Sequence, residues 1–394
     1  MKTVAVIFGG RSAEHDVSIV TAIANIIKPL ELSKEYRVEA VYISKSGAWF
    51  WDDKLKDIKL FTSGQIDRFM QRSTPASVQL DGGMTLTKPG SFTSTRRKDC
   101  KIDVAFPAMH GTYGEDGALM GLFDMAGVAY AGCGMEAAVL AMNKVLAKQV
   151  AAANDVPVTK FVAFTGEEIT HNLDAAATRA TKDLKYPLFV KPAHLGSSIG
   201  ITRVTNGTEL RNGLEVAAHY DDAIIVEEAV SNLIEVTLPV LGNGSDLTPA
   251  YLEQPLTASE DFFDFDTKYM SQGGGKKTGG AKTGGKQGAQ GYSNIPAQIP
   301  ADLYKKAEAV GLSVYRALGC SGTARVDMLI NSRTKAVYFN EVNPLPGSLY
   351  AHNWRAKGIS NVELVTRLVE LGEARHLERQ KLNTIFDTNF LKQF

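Results

Sequence analysis

Arg325, Asp327, Glu341 and Asn343 are the side chains of this sequence whose types and spacing best suit chemistry. They fall within 322–347, GTARVDMLINSRTKAVYFNEVNPLPG, where two runs rich in β-branched and aromatic residues, 324–330 and 336–342, flank a polar turn at 331–335. Alternation along a strand predicts Arg325 with Asp327 on one face, and Glu341 with Asn343 on one face of the neighbouring strand. That gathers three oxygen ligands and one guanidinium. Carboxylate and amide oxygens suit magnesium, which is usually held by a few side chains together with substrate phosphates. A fixed cation at 325 would sit where negative charge develops during phosphoryl or acyl transfer. Taken alone, the pattern also describes a solvated hairpin face, so the rest of the chain has to decide.

At 394 residues the chain is long enough for two or three domains with a substantial core. Its three cysteines, Cys100, Cys133 and Cys320, are too scattered for a disulfide framework or a zinc site. They fit small buried residues in a reducing compartment, so a cytoplasmic protein is expected. The apolar run at 3–8 is too short for a signal-peptide core or a membrane span. Lys+Arg and Asp+Glu balance at 43 each, which leaves no global field to favour nucleic acid or an anionic membrane as partner.

Residues 3–8 followed by Gly9-Gly10 and a helical pattern from about Asp16 read as a buried strand, a glycine turn and a helix, the opening of an α/β domain. The turn lacks the spacing of a dinucleotide fingerprint. Glu14, at the helix entrance, is either a partner for the helix dipole or a holder of a substrate ammonium. A strand at 38–43 follows, and 44–98, poor in helix signals, reads as a peripheral hairpin insertion. The strand at 104–108 runs into His110-Gly111 and a turn at 114–117, before a helix at 118–125. Loops at strand ends in open α/β sheets are where ligands bind, and His110 either contacts substrate or caps the turn.

A second unit begins with a helix at 136–153 bearing Lys144, read from its position alone as a solvated lysine. After a strand at 160–164 and a helix at 173–182 comes LFVKPAHLGSSIGITRV at 188–204. Lys191 ends its strand, and the small-residue loop at 196–200, with Ser197 and Ser198, lets amides and hydroxyls approach phosphate oxygens. It is not a Walker loop, because the GxxxxGK[ST] order is absent. The strand at 224–230 could offer backbone groups to an adenine, and Glu235 beyond it a carboxylate to ribose hydroxyls. The glycine- and lysine-rich run at 273–291 reads as a flexible linker or an active-site lid. A helix at 301–318 leads to the hairpin, and an amphipathic helix at 360–373 follows it.

Taken together, EHDVS at 14–18, HGTYGEDG at 110–117, KPAHLGSSIG at 191–200, KY at 268–269, ARVD at 324–327 and NEVNPLPG at 340–347 resemble the D-alanine:D-alanine ligases. The resemblance implies an α/β and α+β chain with the ATP-grasp fold and an N-terminal Rossmann-like pre-ATP-grasp domain. The expected division is 1–133 for the N-terminal substrate domain, 134–230 for the central lobe and 231–394 for the C-terminal lobe, with the lid at about 268–292. It further implies ATP, two Mg2+ or Mn2+ ions and a homodimer. Glu14 would orient the first substrate's ammonium, with Ser197 and Tyr269 linked to it across the lid. Lys144, Lys191, Ser198 and Lys268 would contact ATP phosphates, Glu227, Glu228 and Val230 would frame the adenine, and Glu235 would hold the ribose. Asp327, Glu341 and Asn343 would bind the metal ions, while Arg325 and the Gly347 amide would stabilise the tetrahedral oxyanion.

Departures concentrate at the second subsite. Met120 stands where the family usually has Gln, Pro344 where Thr is usual, and His352 where a carboxylate-binding Ser is expected. Ser348, His352 and His110 are therefore the candidate substrate contacts. The leading expectation is ATP-dependent ligation of two D-alanines for cell-wall precursors; the alternatives are a different amino-acid or hydroxy-acid acceptor, and a non-catalytic ATP-binding regulator. A lid must exclude water from an acyl phosphate, so amide exchange in 273–291 should slow when ATP and D-alanine are bound. Exchange equally fast in both states, measured by mass spectrometry, would make the run a passive linker.

Overall fold

The computed structural model describes residues 1–89, 97–196, 198–256, 293–384 and 387–394. Ser197, Lys268, Tyr269 and the expected lid lie outside them. Strand β1 (Lys2–Gly9) is flanked by β2 (Tyr36–Ile43) and β7 (Val104–Pro107), both parallel to it. The sheet is completed by antiparallel β3 (Trp49–Trp51) and parallel β8 (Ala129–Tyr130), in the order β3-β2-β1-β7-β8. Both of its faces are covered, which is why β1 is continuously apolar. Val4, Val6 and Phe8 pack with the helical stretch 15–33, while Ala5 and Ile7 pack with Leu119, Phe123 and the other face's residues.

The insertion differs from the expected hairpin. It contains short helices at Ile58–Thr62 and Ile66–Arg72, and an antiparallel sheet of β4 (Ser77–Leu80), β5 (Met84–Lys88) and β6 (Lys98–Ile102). Asp57 caps the first helix by accepting from Lys59 N at 3.0 Å, a local signal too short to show as helical periodicity.

The second sheet is antiparallel, with β9 (Phe161–Thr165), β10 (Leu188–Pro192), β11 (Thr202–Val204) and β12 (Ala223–Glu228) in the order β11-β10-β12-β9. Helices Leu173–Asp183 and Gly207–Tyr220 cover one face through Ala177, Ala180, Leu210 and Leu214. The third sheet consists of β13 (Leu233–Asn243), β14 (Asp246–Pro249), β17 (Gly322–Asn331) and β18 (Ala336–Asn343), in the order β14-β13-β17-β18. Between them in sequence, β15 (Gln254–Pro255) and β16 (Ser293–Asn294) form a two-stranded ladder. Helix Ala301–Ala317 packs Leu303, Ala307 and Val314 against Leu238, Val326 and Met328 of the third sheet.

Two joins fix the first domain to the third sheet. Helix Asn361–Gln380 returns to the first sheet, placing Leu364, Val365, Leu368 and Val369 in the core that holds Val4 and Phe106. At the start of β17, Gly322 has φ +65°, and an added Cβ would lie 2.8 Å from Gly132 Cα. Only glycine meets both demands.

Candidate active site

The site forms on the face of the third sheet opposite its helices. Along β17, Val326, Met328 and Ile330 are buried, while Arg325 and Asp327 point the other way. In β18 the parity changes midway, since Val337 and Phe339 are buried and so is Val342. The register gives the reason: Met328 pairs with Phe339 and Asp327 with Glu341, leaving Asn340 as the extra residue of a β-bulge. Unbroken alternation would carry Glu341 and Asn343 into the core behind Phe339. The bulge turns both onto the site face beside Arg325 and Asp327.

Arg325 grips Asp327 by a fork, Nε to Oδ1 at 2.7 Å and Nη2 to Oδ2 at 2.5 Å, and Asn343 Nδ2 donates to the same Oδ2 at 3.1 Å. Burial opposes the guanidinium charge, but Asp327, with Tyr350 and Glu341 nearby, raises its pKa further above the ordinary value. The Tyr350 ring lies 5.2 Å from the guanidinium carbon. Asp327, Glu341 and Asn343 offer only oxygens to a metal, a hard donor set suited to Mg2+ or Mn2+. The fork does not exhaust Asp327, because a carboxylate has about four acceptor positions.

Lysines approach from the second sheet and the helix before it. The expected helix at 136–153 is broken by Asn143, whose extended backbone separates Met135–Met142 from Lys144–Ala153 and whose Oδ1 caps the latter through Val145 N and Leu146 N. Lys144 is buried, not solvated: its Nζ donates to Leu195 O at 2.7 Å and lies 3.5 Å from Glu341 Oε2. Asn143 Nδ2 meets His194 Nε2 at 2.9 Å, and His194 Nδ1 lies 2.9 Å from Asp221 Oδ1. Burial opposes the Asp221 charge, yet His194 and neighbouring amides push its pKa down to about 2. His194, Asp221 and Asp222 are close enough to hold a metal, but both imidazole nitrogens are already engaged.

Lys191 is buried in an ion pair with Glu227, and its Nζ lies 3.4 Å from Asn340 Oδ1 of the bulge. The Glu227 carboxylate also takes Lys148 Nζ at 2.8 Å and Thr159 Oγ1 at 2.6 Å. Lys148 in turn donates to Phe339 O at 3.2 Å. Burial disfavours charge on Glu227, but Lys148 and Lys191 hold its pKa far below the carboxylate range. Lys148 bears the opposite effect, burial holding its pKa below the ordinary lysine value. Sequence reading missed Lys148, although a second lysine four residues after Lys144 in an apolar helix places both on one face. Glu228 accepts from Lys185 N at 2.9 Å, while Val230 and Glu235 are half-buried near the strand ends. Burial opposes the Lys191 charge, but Glu227, with Glu341 and Glu235 behind it, raises its pKa above the ordinary lysine value.

The first domain supplies a third group of residues. Glu14 lies against Gly111 and Gly196, which brings the loop after β1 to the small-residue loop after β10. Ser198 in that loop has φ +60°. His110 is buried, with Nδ1 3.8 Å from Glu115 Oε1 and Nε2 3.0 Å from Thr21 Oγ1. Burial opposes its charge, whereas Glu115 and Glu14 raise its pKa above the ordinary range. Beyond Gly347, Ser348, Leu349 and Tyr350 all have φ +53°, and Ser348 N donates to Thr21 Oγ1 at 3.2 Å. A non-glycine residue costs of order 1–3 kcal/mol in such a conformation and persists where its surroundings over-determine it. His352 Nε2 lies 2.8 Å from Glu253 Oε2, and buried Asn353 donates to the same oxygen at 3.2 Å. Neither Thr21 nor Glu253 carried a sequence signal.

The D-ala D-ala ligase N-terminus family matches residues 3–133, and the D-ala D-ala ligase C-terminus family matches residues 150–370. A D-alanine--D-alanine ligase of Chloroherpeton thalassium is 35% identical, the alignment covering 96% of this chain and 98% of the relative. The solved D-alanine-D-alanine ligase of Coxiella burnetii aligns with a TM-score of 0.73 at 26% identity, over 97% of this chain and 98% of that one. The VanG D-Ala:D-Ser ligase of Enterococcus faecalis aligns with a TM-score of 0.72 at 29% identity, over 94% and 99%. This chain belongs to the D-alanine–D-alanine ligase family, and its fold is the ATP-grasp fold preceded by a Rossmann-like domain.

The buried Glu227 pair yields a stability test. Its folded pKa is depressed, so its contribution is full above the unfolded carboxylate's pKa and is lost as pH falls. Glu227→Gln should cost about 3–5 kcal/mol at neutral pH by stranding Lys148 and Lys191. The deficit should narrow as pH drops through the carboxylate range, as measured by denaturant unfolding across pH. A pH-independent deficit would mean that the charge on Glu227 does not matter.

Proposed function

We propose that this chain joins two D-alanines to D-alanyl-D-alanine at the expense of ATP, supplying a peptidoglycan precursor. The observation that carries the reading is the convergence of Lys144, Lys191, Arg325, Asp327, Glu341 and Asn343. The first D-alanine's carboxylate attacks the γ-phosphorus of ATP, giving an acyl phosphate and ADP. The second D-alanine's amine attacks the acyl carbon, and phosphate leaves as the amide forms and the amine loses its protons.

Lys144 and Lys191 direct N–H donors at phosphate oxygens, Lys191 while still paired with Glu227, and the main chain of 227–230, not the Glu227 carboxylate, frames the adenine. Ser198 and Lys268 add phosphate contacts, Glu228 and Val230 border the base, and Glu235 takes the ribose. Glu14, with Ser197 and Tyr269, orients the first ammonium near His110. Arg325 and the Gly347 amide stabilise the tetrahedral oxyanion. Asp327, Glu341 and Asn343 would hold Mg2+, which would supply charge neutralisation to the transferring phosphoryl group. Among the described residues no helix is long and apolar enough to cross a membrane, and we take the enzyme to be a cytoplasmic homodimer.

Glu341→Gln and Asp327→Asn should each nearly abolish turnover, since each removes a charged oxygen from the metal site; wild-type rates at ordinary magnesium would remove these ligands. Arg325→Ala should slow turnover roughly a hundredfold or more, with ATP affinity changed less. Collapse of ATP binding instead would make Arg325 a nucleotide residue.

The second reading, a different acceptor, draws on the likeness to a D-Ala:D-Ser ligase, while His352 serves the acceptor carboxylate in either reading. His352 uses Nε2 for Glu253 and keeps Nδ1 for an acceptor carboxylate. On that assignment His352→Ala raises KM for the second D-alanine while KM for ATP stays nearly constant. If both constants hold, Ser348 or the main chain anchors the carboxylate. Phosphate release across D-amino and hydroxy acids, with product mass measured, separates the two acceptor readings.

A further inference from the structure

Thr21 is a buried hydroxyl at a join that the reaction outlined above leaves unused. Its Oγ1 accepts from Ser348 N at 3.2 Å and lies 3.0 Å from His110 Nε2. His110 belongs to the loop after β7, where Glu115 backs it and also accepts from Gly111 N at 2.6 Å. Ser348 follows Gly347. One side chain of the first domain therefore touches both the loop near the first substrate and the loop that forms the oxyanion pocket.

Two observations indicate that this join is built for a purpose beyond packing. Thr21 opens the π-helical turn Thr21–Ile27, a rare winding that occurs frequently at functional sites. Its partner heads the left-handed run Ser348, Leu349 and Tyr350, whose last member lies beside Arg325. Such a run holds its shape only while neighbours enforce it. The preceding polar residue on the same helical face, Ser18, has a separate task, bridging Gly9 N at 2.8 Å and Ala108 O at 2.7 Å.

We propose that Thr21 is a positioning residue that fixes the Gly347 amide and the acceptor loop for the second step, in register with His110. The proposal rests on the assignment of Gly347 and Arg325 to the oxyanion. Valine at 21 keeps the shape but accepts no hydrogen bond, which leaves the Ser348 N–H without its acceptor. Phosphoryl transfer to the first D-alanine does not use the oxyanion pocket, so it survives while amide formation falters. The acyl phosphate then reacts with water, returning D-alanine and phosphate.

The experiment compares full-length wild type, Thr21→Val, Thr21→Ser and Arg325→Ala, measuring phosphate and dipeptide in the same reaction. Thr21→Val should raise phosphate released per dipeptide by roughly threefold or more and raise KM for the acceptor, with KM for ATP nearly unchanged. Thr21→Ser should restore the wild-type ratio. A loss that lowers both products together at an unchanged ratio marks a purely structural role and overturns the proposal. Should Thr21→Val not fold, as judged by thermal unfolding, Thr21→Cys carries the same ratio test with a weak acceptor in place. If Arg325→Ala is normal, the oxyanion assignment falls and this proposal with it; if only Thr21→Val keeps the wild-type ratio and KM, the positioning role alone fails.

Discussion

The buried carboxylate of Glu227 is the constraint from which the site's geometry follows. It binds Lys148 and Lys191, and each lysine reaches on to the bulge of β18, Lys148 to Phe339 O and Lys191 to Asn340. The bulge turns Glu341 and Asn343 toward Arg325 and Asp327. An ion cluster this deep contributes little net stability over an apolar equivalent, but removing one partner strands the others. Its value here is positional: it links the second sheet to the bulge that turns the proposed metal ligands Glu341 and Asn343 toward Asp327. Two ammonium groups share one carboxylate, so the cluster also keeps unspent positive charge beside the place where phosphates are expected.

Much of this was legible in the sequence, for reasons that differ from residue to residue. Arg325 and Asp327 face together because β17 alternates regularly, and alternation needs only local sequence. Glu341 and Asn343 also face together as expected, yet the reason they face the site is the bulge at Asn340, and a two-residue period carries no sign of it. Lys144 was misread as solvated because its partners, Leu195 O and Glu341, come from distant segments. The break at Asn143 had a local signal, since asparagine is a favoured N-cap, but the apolar pattern runs through it. His110 sits in the loop after its strand as expected, whereas His352 lies on the short helix Ala351–Ala356; Glu115, Thr21 and Glu253, which orient the two, are ordinary residues until the fold brings them near.

The return of helix Asn361–Gln380 to the first sheet has a consequence for biosynthesis. Leu364, Val365, Leu368 and Val369 complete the core that includes Val4, Val6 and Phe8. Lys2 pairs with Glu373 at 2.6 Å, and Arg375 Nη2 donates to Tyr130 O at 2.8 Å. Domains commonly fold in order as they leave the ribosome, but here the first domain to emerge lacks one wall of its core until the last long helix is made. In the interval it exposes an apolar face of the kind that recruits chaperones or self-associates. Nascent chains stalled before residue 361 should therefore be the vulnerable species, although the complete N-terminal strand order is already encoded in them.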